Sequence, residues 1–213
     1  MAAGRKIRTP RGALDRLRAA DPGLARVIDR VGPFAMRQKV AENDLESLVR
    51  AIVYQQLSGK AAGTIYGRFR GLFGEDRFPE PHAILKVHYS KLQKCGLSRQ
   101  KRAAVRDLCQ HVASGRLPLG DLDPLADDEV IARLTAVRGI GRWSAHMFMM
   151  FHLGRLDVWP VDDLGVRKGV MRVRQLPEMP TVRAMDALGE PYRPFRSIAA
   201  WYMWRSLEGE AQL

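Results

Sequence analysis

The sequence lacks the features expected of membrane, secreted or disulfide-bonded proteins. No apolar run approaches the roughly 20 residues that span a bilayer, and the basic residues 1–12 contain no apolar segment of the kind that marks a signal peptide. The only cysteines, Cys95 and Cys109, form no CxxC pair and are too few for a four-cysteine iron–sulfur cluster. We therefore expect a soluble intracellular protein, cytoplasmic or associated with the nucleoid in a bacterium, with two reduced thiols, no membrane partner and no iron–sulfur cluster.

The sequence also lacks the period-two alternation that marks β-strands, and it has no Asn-Gly or Asp-Gly hairpin. Apolar residues recur instead at helical spacing, as in the stripe formed by Leu45, Leu48, Val49, Ile52 and Val53. Asn43 and Ser98 are placed to N-cap two helices, and Glu46 stands where a capping-box carboxylate would. The pattern predicts an all-α protein with about ten short helices in two packed groups. We expect residues 1–12 to form a flexible basic tail and residues 13–213 to form the globular domain.

Acidic residues are too few to balance the basic ones. The chain has 35 Lys and Arg against 23 Asp and Glu, which gives a formal charge of +12, and much of the excess lies in residues 1–40. Such a charge favours a polyanionic partner, most simply nucleic acid. A merely soluble basic protein, or an Arg-rich composition set by a GC-rich genome, would explain the charge equally well.

A glycine hairpin, Val137-Arg138-Gly139-Ile140-Gly141, separates two helical patterns. Gly139 and Gly141 permit positive φ and the close approach of another backbone. The helix that follows directs unpaired N–H groups and its positive dipole end toward the turn, so a phosphate can bind there without a side-chain cation. An ordinary glycine turn between helices is the alternative.

An acidic pair, Asp162-Asp163, follows the extended segment Trp159-Pro160-Val161 and precedes another helical pattern. One Asp can serve as the N-cap of that helix, but two adjacent residues cannot share one cap, which leaves the other available for chemistry. The helix itself carries four basic residues, Arg167, Lys168, Arg172 and Arg174. These form either a solvated basic face or a set of phosphate contacts. Hairpin and carboxylate together suggest an enzyme that binds a DNA backbone and acts on a nearby sugar.

Three segments resemble the helix-hairpin-helix DNA glycosylase superfamily, and within it the 3-methyladenine DNA glycosylase II (AlkA-like) branch. They are LVRAIVYQQLSGKAA at 48–62, LTAVRGIGRWSA at 134–145 and WPVDDLGVRKG at 159–169. The similarity covers roughly residues 40–207. It implies two helical lobes with a cleft between them and hydrolysis of the N-glycosidic bond of a damaged base. The chain resembles a compact form of the family that lacks the N-terminal β domain of larger members.

The resemblance assigns the chemistry to one carboxylate. In the family the Asp immediately before Leu-Gly is catalytic, which implies Asp163; alignment on the proline would instead imply Asp162. Bifunctional relatives carry a lysine nucleophile at the position of Trp143, so the resemblance implies a monofunctional enzyme with water as nucleophile and no lyase activity. An anion fixed beside the sugar would stabilise the oxocarbenium-like transition state.

The resemblance also implies how duplex DNA is held. Gln56 and Leu57 would enter the minor groove when a nucleotide flips, beside Ser58, where some relatives carry histidine. The implied phosphate contacts are Arg138, Gly139, Gly141, Arg142, Arg167 and Lys168. A structural Na⁺ or K⁺ would bind the main-chain carbonyls of Thr135, Val137 and Ile140. Arg138 stands where the family usually has proline.

The base pocket implied by the resemblance comprises Trp143 and Trp204, with Met147, Tyr54 and Trp201 as weaker candidates, although tryptophans on helices usually belong to a core. The expected substrates are alkylated purines of the 3-methyladenine and 7-methylguanine type, excised from double-stranded DNA by a monomer that needs no cofactor for the chemistry. Two alternatives stay open: a non-catalytic structure-specific DNA-binding protein, and a glycosylase for uracil or mismatched bases.

Overall fold

The computed structural model describes residues 5–38, 43–57, 59–74 and 77–208. These ranges contain twelve α-helices, two short 3₁₀-helices (Leu119–Asp121 and Glu190–Tyr192) and no strand, which confirms the predicted all-α fold. The α-helices are α1 Ala13–Ala20, α2 Pro22–Val31, α3 Asp44–Tyr54, α4 Gly59–Arg70, α5 Pro81–Lys86, α6 Tyr89–Lys94, α7 Arg99–Ala113, α8 Asp127–Thr135, α9 Arg142–Phe151, α10 Leu164–Val173, α11 Val182–Gly189 and α12 Arg196–Ser206. Among the residues described, none of these helices combines the length and apolar character needed to cross a membrane.

The described part of the predicted basic tail, from Arg5 onward, is not a free tail. The Ile7 N–H donates to the Met36 carbonyl at 3.0 Å, and the Gln38 N–H donates to the Arg5 carbonyl at 2.9 Å. Ile7 is buried. The prediction was wrong for these residues because a single apolar side chain among basic ones produces no periodic signal, whereas pairing of the backbone with a distant segment holds it in place.

The helices divide into two compact units, a terminal unit of residues 1–39 and 149–213 and a central unit of residues 40–148. In the terminal unit α10 packs on α12 and α2. A Cβ added at Gly169 would collide with the Met203 backbone carbonyl, so glycine is what allows α10 and α12 to approach this closely.

A buried hydrogen-bond network fixes the far end of α10 in the terminal unit. Asp21 N-caps α2 through its Oδ1. Its Oδ2 accepts from the Tyr192 hydroxyl at 2.6 Å and from Arg174 Nε at 3.1 Å. Burial and the neighbouring Asp21 carboxylate raise the pKa of Tyr192, so the phenol stays protonated and donates. Arg174 is therefore an anchor of the helix end and not part of a solvated face.

In the central unit α3 packs on α4 and α7 with all five residues of its predicted apolar stripe buried. The predicted N-caps are confirmed: Asn43 accepts from the Glu46 N–H at 2.9 Å, and Ser98 accepts from the Lys101 N–H at 3.3 Å. Each such cap stabilises its helix by about 1 kcal/mol. The Glu46 side chain accepts a 2.5 Å hydrogen bond from the Tyr66 hydroxyl.

Both cysteines are free and buried in the central unit. Burial raises the pKa of the Cys109 thiol to about 12 and also raises that of Cys95. A thiol with a raised pKa is a poor nucleophile at neutral pH, so neither cysteine is a candidate for covalent chemistry.

Candidate functional site

Asp163 is the N-cap of α10. Its Oδ1 accepts from the Val166 N–H at 2.8 Å and from the Trp204 indole Nε1–H at 2.8 Å. The side chain is 9% exposed, whereas Asp162 is exposed. Asp163, the residue to which the family resemblance assigns catalysis, is therefore also the N-cap of α10, and Asp162 is not the N-cap. Asp163 is the residue immediately before the helix because α10 begins at Leu164.

The position two residues after the capping Asp163 has no room for a side chain, and it is occupied by Gly165. A Cβ added there would lie 2.7 Å from Trp204 Cδ1 and 2.9 Å from Trp204 Nε1, both shorter than real Cβ contacts, and 3.1 Å from Asp163 Oδ1, which is tight. Any larger residue would displace the indole ring that donates to the carboxylate. The Asp-Leu-Gly sequence therefore encodes a carboxylate held by a helix terminus and by a tryptophan.

Trp204 also stacks on Phe151, with ring centroids 5.8 Å apart and an interplanar angle of 22°. The two rings form an aromatic surface of the terminal unit next to the Asp163 carboxylate. Phe151 was not among the predicted site residues, and its place in the apolar stripe of α9 gave no signal beyond core packing. Trp201, a weaker candidate, lies in the core, 6% exposed and edge-on to Phe34.

The predicted hairpin between α8 and α9 is present in the central unit. The Ile140 N–H donates to the Val137 carbonyl at 3.1 Å, and Gly139 has φ +80°, which defines a type II β-turn with Arg138 and Gly139 at its centre. A Cβ at Gly139 would lie 2.8 Å from the Ala104 Cβ of α7. Gly141 has no positive φ and no neighbour within 4 Å of an added Cβ, so of the two glycines only Gly139 uses the conformational freedom that glycine permits.

A surface pocket of about 680 Å³ lies over this turn. It is lined by residues 135–141 and by Asp107, His111 and Arg116. The carbonyl-bearing residues Thr135, Val137 and Ile140 all line it. Oxygen donors of this kind suit a hard monovalent cation. The Val137 carbonyl already accepts the turn hydrogen bond, which leaves its second lone pair for such an ion.

The loop after α3 is tied to the hairpin within the central unit. Gln55 Nε2 donates to the Gly139 carbonyl at 3.0 Å and to Ser144 Oγ at 3.1 Å. Lys101 Nζ donates to the carbonyls of Val53 at 2.6 Å and Gln55 at 2.8 Å, which satisfies the end of α3. Burial lowers the pKa of Lys101. The sequence analysis did not identify Gln55 or Lys101 as positioning residues, because each contacts a segment that is distant in the sequence.

The two residues that follow Gln55 in this loop are exposed. Gln56 is exposed with φ +55°, and Leu57 is 39% exposed. The exposure of Leu57 directly after the largely buried α3 shows that its side chain is not part of the core. Ser58 lies outside the described residues.

The remaining pocket candidates belong to the central unit. Trp143 is 41% exposed in the first turn of α9, and Met147 is half-buried one turn later. Tyr54 is half-buried, with the Arg50 guanidinium 5.1 Å from its ring centroid. The structure therefore brings Trp204 onto Asp163 and keeps the other three candidates at partly accessible positions of the central unit.

The side chains predicted to bind phosphate differ in their exposure and in their hydrogen bonds within the protein. Arg138, Arg142 and Lys168 are exposed. Arg167 Nε donates to the Pro180 carbonyl at 3.0 Å, so part of its guanidinium is committed to the fold. The Arg138 backbone N–H donates to Asp107 Oδ2 at 2.8 Å.

Comparison with known proteins gives concordant results. Residues 49–194 match the profile of the HhH-GPD superfamily of base excision DNA repair proteins. DNA-3-methyladenine glycosylase 1 of Schizosaccharomyces pombe is 34% identical over 192 residues, which cover 89% of this chain and 84% of that protein. A solved structure of 3-methyladenine DNA glycosylase from S. pombe in complex with abasic DNA superposes with a TM-score of 0.81 at 34% identity, covering 90% of this chain and 94% of that one. DNA-3-methyladenine glycosidase from Bacillus halodurans superposes with a TM-score of 0.83 at 36% identity, covering 94% and 91%.

Proposed function

The chain belongs to the HhH-GPD superfamily of base excision DNA repair proteins, and on that premise we propose that it is a DNA glycosylase for alkylated purines. Its substrates would be bases of the 3-methyladenine and 7-methylguanine type, flipped out of duplex DNA. The observation that carries the proposal is the Asp163 carboxylate, which Val166 N–H and Trp204 Nε1–H hold in one orientation. The names of the relatives found, DNA-3-methyladenine glycosylases, support the same substrate class.

The chemistry asks for a fixed anion beside the sugar. Alkylation at N3 or N7 puts positive charge on a purine and weakens its bond to deoxyribose, so the leaving group needs little protonation. As the base departs, the sugar develops oxocarbenium character. A carboxylate already oriented by two hydrogen bonds stabilises this charge without reorganising during the reaction, and it can also orient the attacking water.

Aromatic surfaces supply selectivity for the damaged base. The stacked Trp204 and Phe151 rings beside Asp163 would attract a cationic, electron-poor purine by stacking and cation–π interaction. On the family resemblance we also propose roles in base recognition for Trp143, Met147 and Tyr54 of the central unit. Flipping costs a few kcal/mol, and less for a damaged or mispaired base, which adds to the discrimination.

Most of the proposed duplex contacts belong to the central unit, and one, Lys168, belongs to the terminal unit. The hairpin amides at Gly139 and Gly141 with the exposed Arg142 bind phosphates, a Na⁺ or K⁺ on the hairpin carbonyls supports them, and Lys168 contributes a further contact from α10. The Gln56–Leu57 loop enters the minor groove where the nucleotide leaves the stack. Its attachment to the hairpin through Gln55 sets where it enters relative to the bound phosphate.

Release of free bases from methylated duplex DNA tests the proposal. We expect chromatography to detect 3-methyladenine and 7-methylguanine after incubation with the protein and none from unmethylated DNA of the same sequence. Binding to a duplex with an abasic-site analogue but no base release would indicate the non-catalytic DNA-binding protein. Release of uracil from a uracil-containing duplex, without release of methylated purines, would indicate the other glycosylase class.

We further propose that the enzyme has no lyase activity. Trp143, at the first turn of α9, cannot form the imine with the sugar that a lysine amine forms. Borohydride should therefore trap no covalent protein–DNA adduct under conditions in which a bifunctional glycosylase is trapped. A trapped adduct in this protein that mass spectrometry maps to any lysine would overturn the proposal.

A further inference from the structure

The Arg138 backbone N–H donates to an acceptor outside the hairpin. Arg138 occupies position i+1 of the type II turn, Val137 to Ile140. Proline favours this position because its ring fixes φ near −65° and because it carries no N–H. Any other residue there loses more conformational freedom when the turn forms, and it brings an N–H donor that bonds either to water or to an acceptor elsewhere in the protein.

Asp107 of α7 supplies the acceptor. Its Oδ2 lies 2.8 Å from the Arg138 nitrogen, across 31 residues of sequence. We propose that Asp107 is a positioning residue of the hairpin, whose carboxylate fixes the turn in place of a proline ring. The proposal extends the proposed function, because the turn it fixes is the one assigned to phosphate binding.

The electrostatics of the pocket support a specific role for this carboxylate. Asp107 lines the same pocket as the hairpin, where its negative charge opposes the approach of a phosphate. His111 Nδ1 lies 3.4 Å from Asp107 Oδ2, and Arg116 and Arg138 also line the pocket. The charge of Asp107 and its hydrogen bond to the turn therefore act on phosphate binding in opposite directions, and a test has to separate them.

The two effects of Asp107 can be separated by substitution. Asp107→Asn removes the charge but keeps a carbonyl oxygen that can accept the Arg138 N–H. Asp107→Ala removes both. If Asp107 positions the turn, the Asp107→Asn variant binds a duplex with an abasic-site analogue at least as tightly as the native protein. The Asp107→Ala variant binds the same duplex more weakly.

A double-mutant cycle at Arg138 isolates the N–H. Arg138→Ala removes the side chain and keeps the N–H, whereas Arg138→Pro removes both and fixes φ. We expect Asp107→Ala to weaken duplex binding roughly five- to tenfold in the Arg138→Ala background, the scale for one charge-assisted hydrogen bond at a partly exposed site. In the Arg138→Pro background the same change should alter binding less than about twofold or strengthen it, since no N–H is left without its acceptor.

Thermal midpoints of the same variants, measured without DNA, test the positioning role independently of the proposed function. The loss of stability caused by Asp107→Ala should appear in the Arg138→Ala background and vanish in the Arg138→Pro background. Equal losses in both backgrounds would overturn the proposal, as would identical behaviour of Asp107→Ala and Asp107→Asn in binding. Coupling in the thermal midpoints without DNA binding by any variant would retain the proposal for the turn and reject the proposed function.

Discussion

Asp163→Asn is expected to release methylated purines at least about a hundredfold more slowly than the native protein while still binding a duplex with an abasic-site analogue. The figure is the scale for losing one electrostatic stabiliser of a charged transition state. Base release from methylated DNA under single-turnover conditions, followed by chromatography, gives the rate.

The structure makes this substitution a clean probe of charge. Asn keeps a carbonyl oxygen that can accept from the Val166 N–H and the Trp204 indole, as Asp163 Oδ1 does. The helix cap and the tryptophan position should therefore survive, and the thermal midpoint should change little. What is lost is the negative charge beside the sugar.

Asp162→Asn is the matched control, because Asp162 is the exposed neighbour of the same type. It should release bases at a nearly native rate. A slow Asp162→Asn with a nearly native Asp163→Asn would move the chemistry by one residue. Full activity in both variants would reject carboxylate stabilisation as the mechanism.

The part of this site that the sequence predicted is local in the chain. A helix start preceded by Asp162-Asp163, and a turn containing Gly139, follow from side-chain preferences and backbone conformations that act over a few residues. The sequence left open which Asp caps the helix. That choice depends on the residue at which α10 begins, and a sequence pattern places a helix boundary only to within about one or two residues.

The parts that the sequence did not predict are contacts between distant segments. Gln55 with Gly139, Lys101 with the end of α3, and Asp107 with Arg138 each join residues at least 31 positions apart. No periodic pattern marks a lysine or an aspartate that faces a neighbouring turn. Arg167 is a further example. The sequence predicted that it contacts phosphate, but it could not show that Arg167 Nε donates to the Pro180 carbonyl, which uses part of the guanidinium.

The second large effect is expected on duplex binding when Gly139 of the hairpin is substituted. Gly139→Val should weaken binding to a duplex with an abasic-site analogue roughly a hundredfold. The residue has φ +80°, which costs a non-glycine residue about 1–2 kcal/mol, and a β-branched one more. Its Cβ would also lie 2.8 Å from the Ala104 Cβ of α7. The turn is therefore expected to leave its type II geometry, which displaces the amides that we propose bind phosphate.

The nearby glycine and a compensating change serve as controls for this result. Gly141→Ala, at a position without positive φ and with open space around an added Cβ, should leave the thermal midpoint unchanged. Gly139→Ala should bind about tenfold more weakly than the native protein, and adding Ala104→Gly should restore only part of the loss, because it relieves the collision and not the backbone strain. Binding and thermal midpoint are measured for each variant. If Gly139→Val binds the duplex normally while Asp163→Asn still blocks base release, the hairpin is not the phosphate-binding element and the DNA is held by another surface.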